Sequence, residues 1–328
     1  MSRRLLVFAP NWLGDAVMAL PAIADLCRVS PDAVVHVAAR PAIAPLVPLM
    51  PGIAQALVLG DRRASIDAVR AGRYDAALLL PNSFHTAWIA RNAGVPERWG
   101  YRNEFRAMLL TRAVAPPVRV HQAAYYQRLT TALGCPPGPL TPRLDLPHDL
   151  RSGGGNRLAA AGWDGQSPLV ALAPGAAFGG AKRWPAAHFA ATADALARDG
   201  VRSVLVGAGA DARAGAEVEV AVRSGLRPIN LIGATDLPGL AAVLVQCRAL
   251  VTNDSGAMHF AAALGVNVAA VFGPTNEHET YPLGTGRLSV LHTDVWCRPC
   301  MLRECPLTHR CMTGISADTV LGEVRVSL

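Results

Sequence analysis

Short apolar runs alternate with amphipathic stretches along most of the chain. In the first half, residues 5–9, 33–38, 56–59 and 75–80 are rich in Val, Leu and Ala and predict buried strands, and 98–101 reads as a last short strand. Between them, 15–29 and 41–50 carry apolar positions at helical spacing, and a further helix follows Pro81-Asn82-Ser83-Phe84. The second half repeats the alternation. Strands are predicted over 169–173, 203–206, 229–232, 250–252 and 268–272, and helices over 185–199, 211–224, 237–247, 257–264 and 316–324.

Strands that alternate with helices imply parallel sheets covered by helices on both faces. The predicted fold class is therefore α/β, with two Rossmann-like halves. Between them the composition shifts to Pro136, Pro137, Pro139, Pro142 and Pro147, then Gly153-Gly154-Gly155. Residues 134–155 read as the interdomain connection, giving domains 1–155 and 156–328. The last helix is expected to cross back toward the first domain. A length of 328 residues suits two such domains.

Composition narrows this picture. Hydrophobic residues make up 51% and aromatics only 5%, which favours close-packed α/β layers over an aromatic-rich sandwich. The net charge of +7 comes almost wholly from arginine, with Lys182 standing out inside a motif. Such a balance suits a phosphorylated substrate, an anionic membrane or nucleic acid, or reflects compositional bias toward Arg. The apolar run at the N-terminus is broken by Pro10, Asn11 and Asp15, too early for a secretion signal. No stretch is long and apolar enough to predict a membrane span, so a cytoplasmic location is expected, with peripheral membrane contact left open. Cys27, Cys135 and Cys247 lie in apolar surroundings and read as core thiols. The spacing Cys297-x2-Cys300-x4-Cys305-x5-Cys311 begins like a metal knuckle but does not repeat it. These four read as reduced thiols of a surface loop, and no metal is assigned.

Ligands of parallel sheets lie beyond the carboxyl ends of the strands. That rule selects the loops 10–15, 81–85, 174–184 and 253–259. Asn253-Asp254-Ser255-Gly256-Ala257 reads as a polar turn opening a helix. There, backbone amides and roughly half a positive charge await an anion, which we read as a diphosphate. Asp254 beside an anion must point elsewhere, to a sugar hydroxyl or into the loop. His259 lies one turn into that helix and is either structural or faces the ligand. Lys182, on the glycine-rich loop that starts at Pro174-Gly175, suits a phosphate as a compact cation. Asp15, after the first strand, is either a helix N-cap or a general base. Asp211 follows a Gly-x-Gly pair and either caps a helix or contacts a ribose. The first loop has only Gly14, not the three glycines of a dinucleotide fingerprint. That argues against a nicotinamide-dependent oxidoreductase or epimerase. Scarce aromatics and dispersed charge argue against a nucleic-acid-binding module.

Together, Asn11-Trp12-Leu13-Gly14-Asp15, Pro174-Gly175 with Lys182-Arg183-Trp184-Pro185, and Asn253-Asp254-Ser255-Gly256-x-x-His259 with Phe272-Gly273-Pro274-Thr275 resemble glycosyltransferase family nine. These are the ADP-heptose:lipopolysaccharide heptosyltransferases. Gly100-Tyr101-x-x-Glu104-x-Arg106 and the cysteine cluster look more like type II members than type I, which remains the alternative along with another acceptor. The resemblance implies a GT-B architecture: two Rossmann-like domains facing a cleft. It implies an inverting transfer of L-glycero-D-manno-heptose from ADP-heptose to the heptosylated Kdo-lipid A inner core, without cofactor or essential metal. It makes Asp15 the general base and Lys182 the phosphate-binding cation. It places Gly175, Lys182, Asp211, Asp254, Ser255, Gly256, Ala257 and His259 at the donor. Asn11, Trp12, Gly14, Arg62, Arg63, Arg102 and Arg119 are the corresponding candidates for the acidic acceptor.

Overall fold

Parallel strands covered by helices are buried on both faces, and the apolar runs meet that condition. The computed structural model describes residues 3–103 and 105–328. Glu104, quoted above, lies outside the described residues. The chain divides into two units, Met1–Asp145 and Leu146–Leu328.

The first unit runs β1 (Arg4–Phe8), α1 (Leu13–Met18), α2 (Leu20–Val29), β2 (Val34–Ala39), β3 (Gln55–Val58), α3 (Arg62–Ala71) and β4 (Ala76–Leu79). It continues with α4 (Phe84–Asn92), β5 (Glu97–Tyr101), β6 (Arg112–Val114) and α5 (Gln122–Ala132). Its sheet has the order β3-β2-β1-β4-β5-β6, with every pairing parallel. Leu6, Phe8, Ala77, Leu79, Ala87 and Ile89 belong to one core on a face of that sheet.

The second unit runs α6 (His148–Ala160), β7 (Leu169–Ala173), α7 (Ala186–Arg198), β8 (Arg202–Leu205), α8 (Ala212–Ala221), β9 (Ile229–Asn230) and α9 (Leu237–Leu244). Then come β10 (Ala249–Asn253), α10 (Gly256–Ala263), β11 (Asn267–Phe272), α11 (Glu277–Thr280), β12 (Leu288–His292), α12 (Arg310–Thr313) and α13 (Ala317–Arg325). The order β12-β11-β10-β7-β8-β9 is again wholly parallel. Counted from each unit's own first strand, the two sheets have the same order. In such sheets ligands bind where the winding reverses. Here the reversals fall between β1 and β4, and between β7 and β10.

Several elements differ from the sequence reading. The helix expected over 15–29 is two helices hinged at Ala19, with Pro21 early in the second. Residues 41–50 form a 3-10 helix, Ala44–Leu49, with Pro48 inside it. The expected linker ends earlier than residue 155, because the chain enters α6 at His148 and carries Gly153-Gly154-Gly155 within it. A Cβ on Gly154 would lie 2.0 Å from the carbonyl oxygen of Ala242 in α9, so a helix-poor residue is kept for close helix contact. The C-terminal helix α13 turns Val320, Leu321 and Val324 into the core of the second unit. Among the described residues no helix is long and apolar enough to cross a membrane.

Asp25, buried on α2, organises the end of the first unit. Its carboxylate accepts from the Gly138 amide at 2.8 Å, from Gln127 of α5 at 2.9 Å and from Arg28 at 2.7 Å. Asp25→Ala removes a charged acceptor and strands buried donors. It is expected to destabilise the protein by about 3 kcal/mol, read as a lowered denaturant midpoint for the transition that includes the first unit.

Candidate active site

At the first unit's reversal, β1 ends at Phe8 and α1 begins at Leu13. Asp15 is thus the third residue of α1 and not its N-cap, a position held by Trp12. A carboxylate in the first turn is favoured by the helix dipole. From α5, the hydroxyl of Tyr126 donates to Asp15 Oδ1 at 3.3 Å. Burial, and then the charge of Asp15, raise the Tyr126 hydroxyl well above the usual tyrosine range, so it stays a donor. The loop after β4 is pinned from two sides. Buried Arg106 donates to the carbonyls of Pro81 and Tyr101, and Asn82 donates to Tyr125 Oη at 2.8 Å.

These loops border a cavity of about 590 Å³ lined by Asn11, Arg40, Asp61, Arg62, Ser83 and His85, among others. Of the residues assigned to the acceptor, Asn11 and Arg62 reach it. Trp12, Gly14, Arg63, Arg102 and Arg119 do not line it. Trp12 is 62% exposed, and Arg63, Arg102 and Arg119 are exposed. Arg40 and His85 were missed. Arg40 directly follows β2, so the strand-end rule could have found it, whereas His85 lies within the selected loop 81–85 but carried no separate signal.

At the second unit's reversal, the side chain of Asn253 joins both loops. Its amide donates to the carbonyls of Pro174 at 2.9 Å and Gly175 at 3.1 Å, and its oxygen accepts from the Trp184 amide at 2.9 Å. The loop after β7 is therefore tied at its start and its end to the last residue of β10. Lys182 Nζ lies 2.5 Å from Asp254 Oδ2 and 4.8 Å from the Phe178 ring centre. Thr275 Oγ1 donates to the same Asp254 oxygen at 2.6 Å. Asp254 is 5% exposed. Its carboxylate is thus taken up by Lys182 and Thr275, which answers how an acidic side chain can stand in an anion-binding turn.

Ser255 is the N-cap of α10 but gives no side-chain cap; its hydroxyl pairs with Thr252 Oγ1 at 3.1 Å. The amides of Gly256 and Ala257 open the helix beside Lys182's partner. His259 is buried in α10. Asp211 reaches back to the Ala208 amide at 2.9 Å. A Cβ on Gly175 would stand 2.1 Å from Asp211 Oδ1, so this carboxylate packs directly on the loop after β7. Asp211 thus braces its own loop and packs against the loop after β7; at the N-cap position of α8 its side chain makes no cap hydrogen bond.

Cys297, Cys300 and Cys305 are partly exposed, Cys311 is buried, and none of the four is in a disulfide. They line one cavity of about 460 Å³ together with Ala181 and His309. Burial and the neighbouring thiols push the Cys311 thiol up. Among the described residues, no three His, Cys, Asp or Glu side chains are grouped to hold a metal ion. Burial also raises Cys27, to about 11, and Cys247.

Two wholly parallel six-stranded sheets of one strand order, each in its own unit, are the architecture of the GT-B glycosyltransferases. The chain belongs to glycosyltransferase family 9 (heptosyltransferase), whose profile matches residues 62–310. It is 35% identical over 300 residues to lipopolysaccharide heptosyltransferase 2 of Escherichia coli K12, covering 85% of each chain. It is 36% identical over 304 residues to the protein of that name from Salmonella typhimurium, with the same coverage. The solved E. coli ADP-heptose lps heptosyltransferase II matches with a TM-score of 0.86 and 31% identity, over 99% of this chain and 98% of that one.

Asn253→Ala removes three hydrogen bonds at about 1 kcal/mol each. It is expected to lower stability by about 3 kcal/mol and to speed hydrogen exchange at the Trp184 amide, measured site by site.

Proposed function

We propose that this chain moves L-glycero-D-manno-heptose from ADP-heptose to the heptosylated inner core of lipopolysaccharide, the type II heptosyltransferase reaction, with inversion. The observation that carries this reading is the near-full-length likeness, at 35% identity, to a relative named for that activity. The loops at both strand reversals hold side chains suited to the chemistry.

A sugar hydroxyl is a weak nucleophile and must lose its proton as it attacks. In the proposed mechanism Asp15 takes that proton, while Tyr126 orients its carboxylate. The new bond forms at the anomeric carbon on the face opposite the departing phosphate, so the configuration inverts. The carbon–oxygen bond to the diphosphate breaks and ADP leaves with growing negative charge. In this mechanism Lys182 and the amides that open α10 stabilise it, and one such donor contributes roughly 3–4 kcal/mol in a transition state. Lys182 then shares its charge between Asp254 and the diphosphate. Asp211 and Gly175 shape the donor loops, and His259 supports α10 from within.

The acceptor carries phosphate or carboxylate groups. Arg62, with Arg40 and His85 on the same cavity, is the proposed contact to them, with Arg63, Arg102 and Arg119 as outer attraction. Phe105 is 93% and Met108 80% exposed on the segment that carries Arg102 and Arg119. Apolar and basic side chains together suit peripheral contact with an anionic inner leaflet, where each basic residue adds about 1 kcal/mol.

Asp15→Ala is expected to lower turnover on the order of 10²–10⁴-fold, and Lys182→Ala on the order of 10²–10³-fold. Both variants should keep the wild-type circular dichroism spectrum. The assay offers ADP-heptose with cores bearing zero, one or two heptoses. Product is expected from the one-heptose core. Near-wild-type turnover by Asp15→Ala would remove the base assignment, and product from the bare core would move the chain to the type I reaction.

A further inference from the structure

The cysteine-rich segment is the motif that the reaction leaves unused. It leaves β12, runs through Cys297 to Cys311 and ends at α12. Its middle grips the loop that carries Lys182. The Ala181 amide donates to the Arg303 carbonyl at 2.9 Å, and the Gly180 amide donates to Glu304 Oε1 at 2.9 Å. His309 Nε2 lies 2.7 Å from the Ala181 carbonyl, which can only accept, so the ring nitrogen carries the proton. Gly179 has φ 153°, and a Cβ there would lie 2.3 Å from the Arg303 carbonyl oxygen. The Arg303 guanidinium lies 5.5 Å from the Phe178 ring on which Lys182 also rests.

These contacts matter because the gripped loop has little structure of its own. Between β7 and α7 it forms one 3-10 turn, Gly180–Lys182, entered directly from Gly179. A lysine on such a loop is a mobile charge unless something outside the loop sets its backbone. Asp254 holds Nζ, but Nζ must be shared with a ligand for the cation to serve. The backbone at 180–181 is held independently of that exchange.

We propose that residues 303–309 form a clasp in which Glu304 and His309 are positioning residues for Lys182. They hold the loop at the height from which Nζ reaches a nucleoside diphosphate, whether or not Asp254 keeps its share. The four thiols line the cavity against which the clasp is built. This rests on the reading of Lys182 as the phosphate-binding cation.

The test uses the full-length enzyme with ADP as the probe. Glu304→Ala is expected to weaken ADP binding, by calorimetry, about fivefold. It should raise the KM for ADP-heptose by a similar factor, leave the acceptor KM in place and speed amide exchange in 179–182. Glu304→Gln keeps a side-chain oxygen for the Gly180 amide and is expected to restore both. In a Lys182→Ala background, Glu304→Ala should cost no further ADP affinity. Unchanged exchange and unchanged ADP affinity in Glu304→Ala would overturn the clasp, as would a full additional loss on top of Lys182→Ala. The same holds for a Glu304→Gln variant as impaired as the alanine. If Lys182→Ala alone binds ADP like wild type, the premise fails instead. The exchange data from Glu304→Ala then tell a structural clasp from none.

Discussion

A wholly parallel sheet whose winding reverses leaves one place where two neighbouring strands send their loops apart, and every functional assignment in this chain depends on that constraint. Right-handed crossovers make the direction of each connection obligatory. With the order β3-β2-β1-β4-β5-β6, the loops after β1 and β4 diverge. With β12-β11-β10-β7-β8-β9, those after β7 and β10 diverge. The gap is a product of topology, and side chains need only furnish it. The first unit furnishes its gap with Asp15, the pinned loop at Pro81 and the cavity lined by Arg40, Arg62 and His85. The second furnishes its gap with Asn253, Asp254, Lys182 and the start of α10.

Furnishing such a gap has an energetic cost. Taking Asp254 and Lys182 out of water opposes folding by an amount their mutual attraction does not clearly exceed. The pair is therefore better understood as a device for placing charge than as a source of stability. Two features reduce the cost. Thr275 donates a second hydrogen bond to the same carboxylate oxygen, and the Phe178 ring presents its face to the ammonium. Asn253 works in the opposite way. It is neutral and buried, its amide hydrogens and oxygen are all engaged, and it joins two loops without placing any charge.

The strands were legible because buried parallel strands are continuous apolar runs, and the loops because polar and glycine residues concentrate after them. β7 matched residue for residue, and Asn253-Asp254-Ser255 fell at the junction of β10 and α10. What escaped had weaker local signals. α3 opens on a capping aspartate, Asp61, yet it buries only Ser65 and Val69, so its apolar stripe is too thin to stand out. β6 and β12 are edge strands, so neither is enclosed by neighbours on both sides. The glycines of α6 argued for a linker, because the reason for Gly154 is the backbone of α9, far away in sequence. The hold of Glu304 and His309 on residues 180–181 spans more than a hundred positions, and no spacing rule reaches that far. Arg40 and His85 are instructive for different reasons: Arg40 directly follows β2, where no selected loop lies, whereas His85 sits inside the selected loop 81–85 with no local signal that sets it apart from its neighbours.

The lone lysine can be argued from the same physics. Elsewhere the chain uses arginine where a cation must stay with fixed partners. Arg28 holds Asp25, Arg298 holds Glu277 and the Gly273 carbonyl, and buried Arg106 bridges carbonyls from two loops. A planar guanidinium distributes fixed donors and resists re-aiming. An ammonium is a compact charge whose three donors rotate freely. At position 182 the cation must meet a carboxylate in one state and a diphosphate in the next, from nearly one location. A fork matched to Asp254 would have to turn as a whole to serve a phosphate, whereas Nζ can serve both by rotation about its own bond. That exchange needs a backbone that does not move with it, and the contacts to Arg303, Glu304 and His309 provide one.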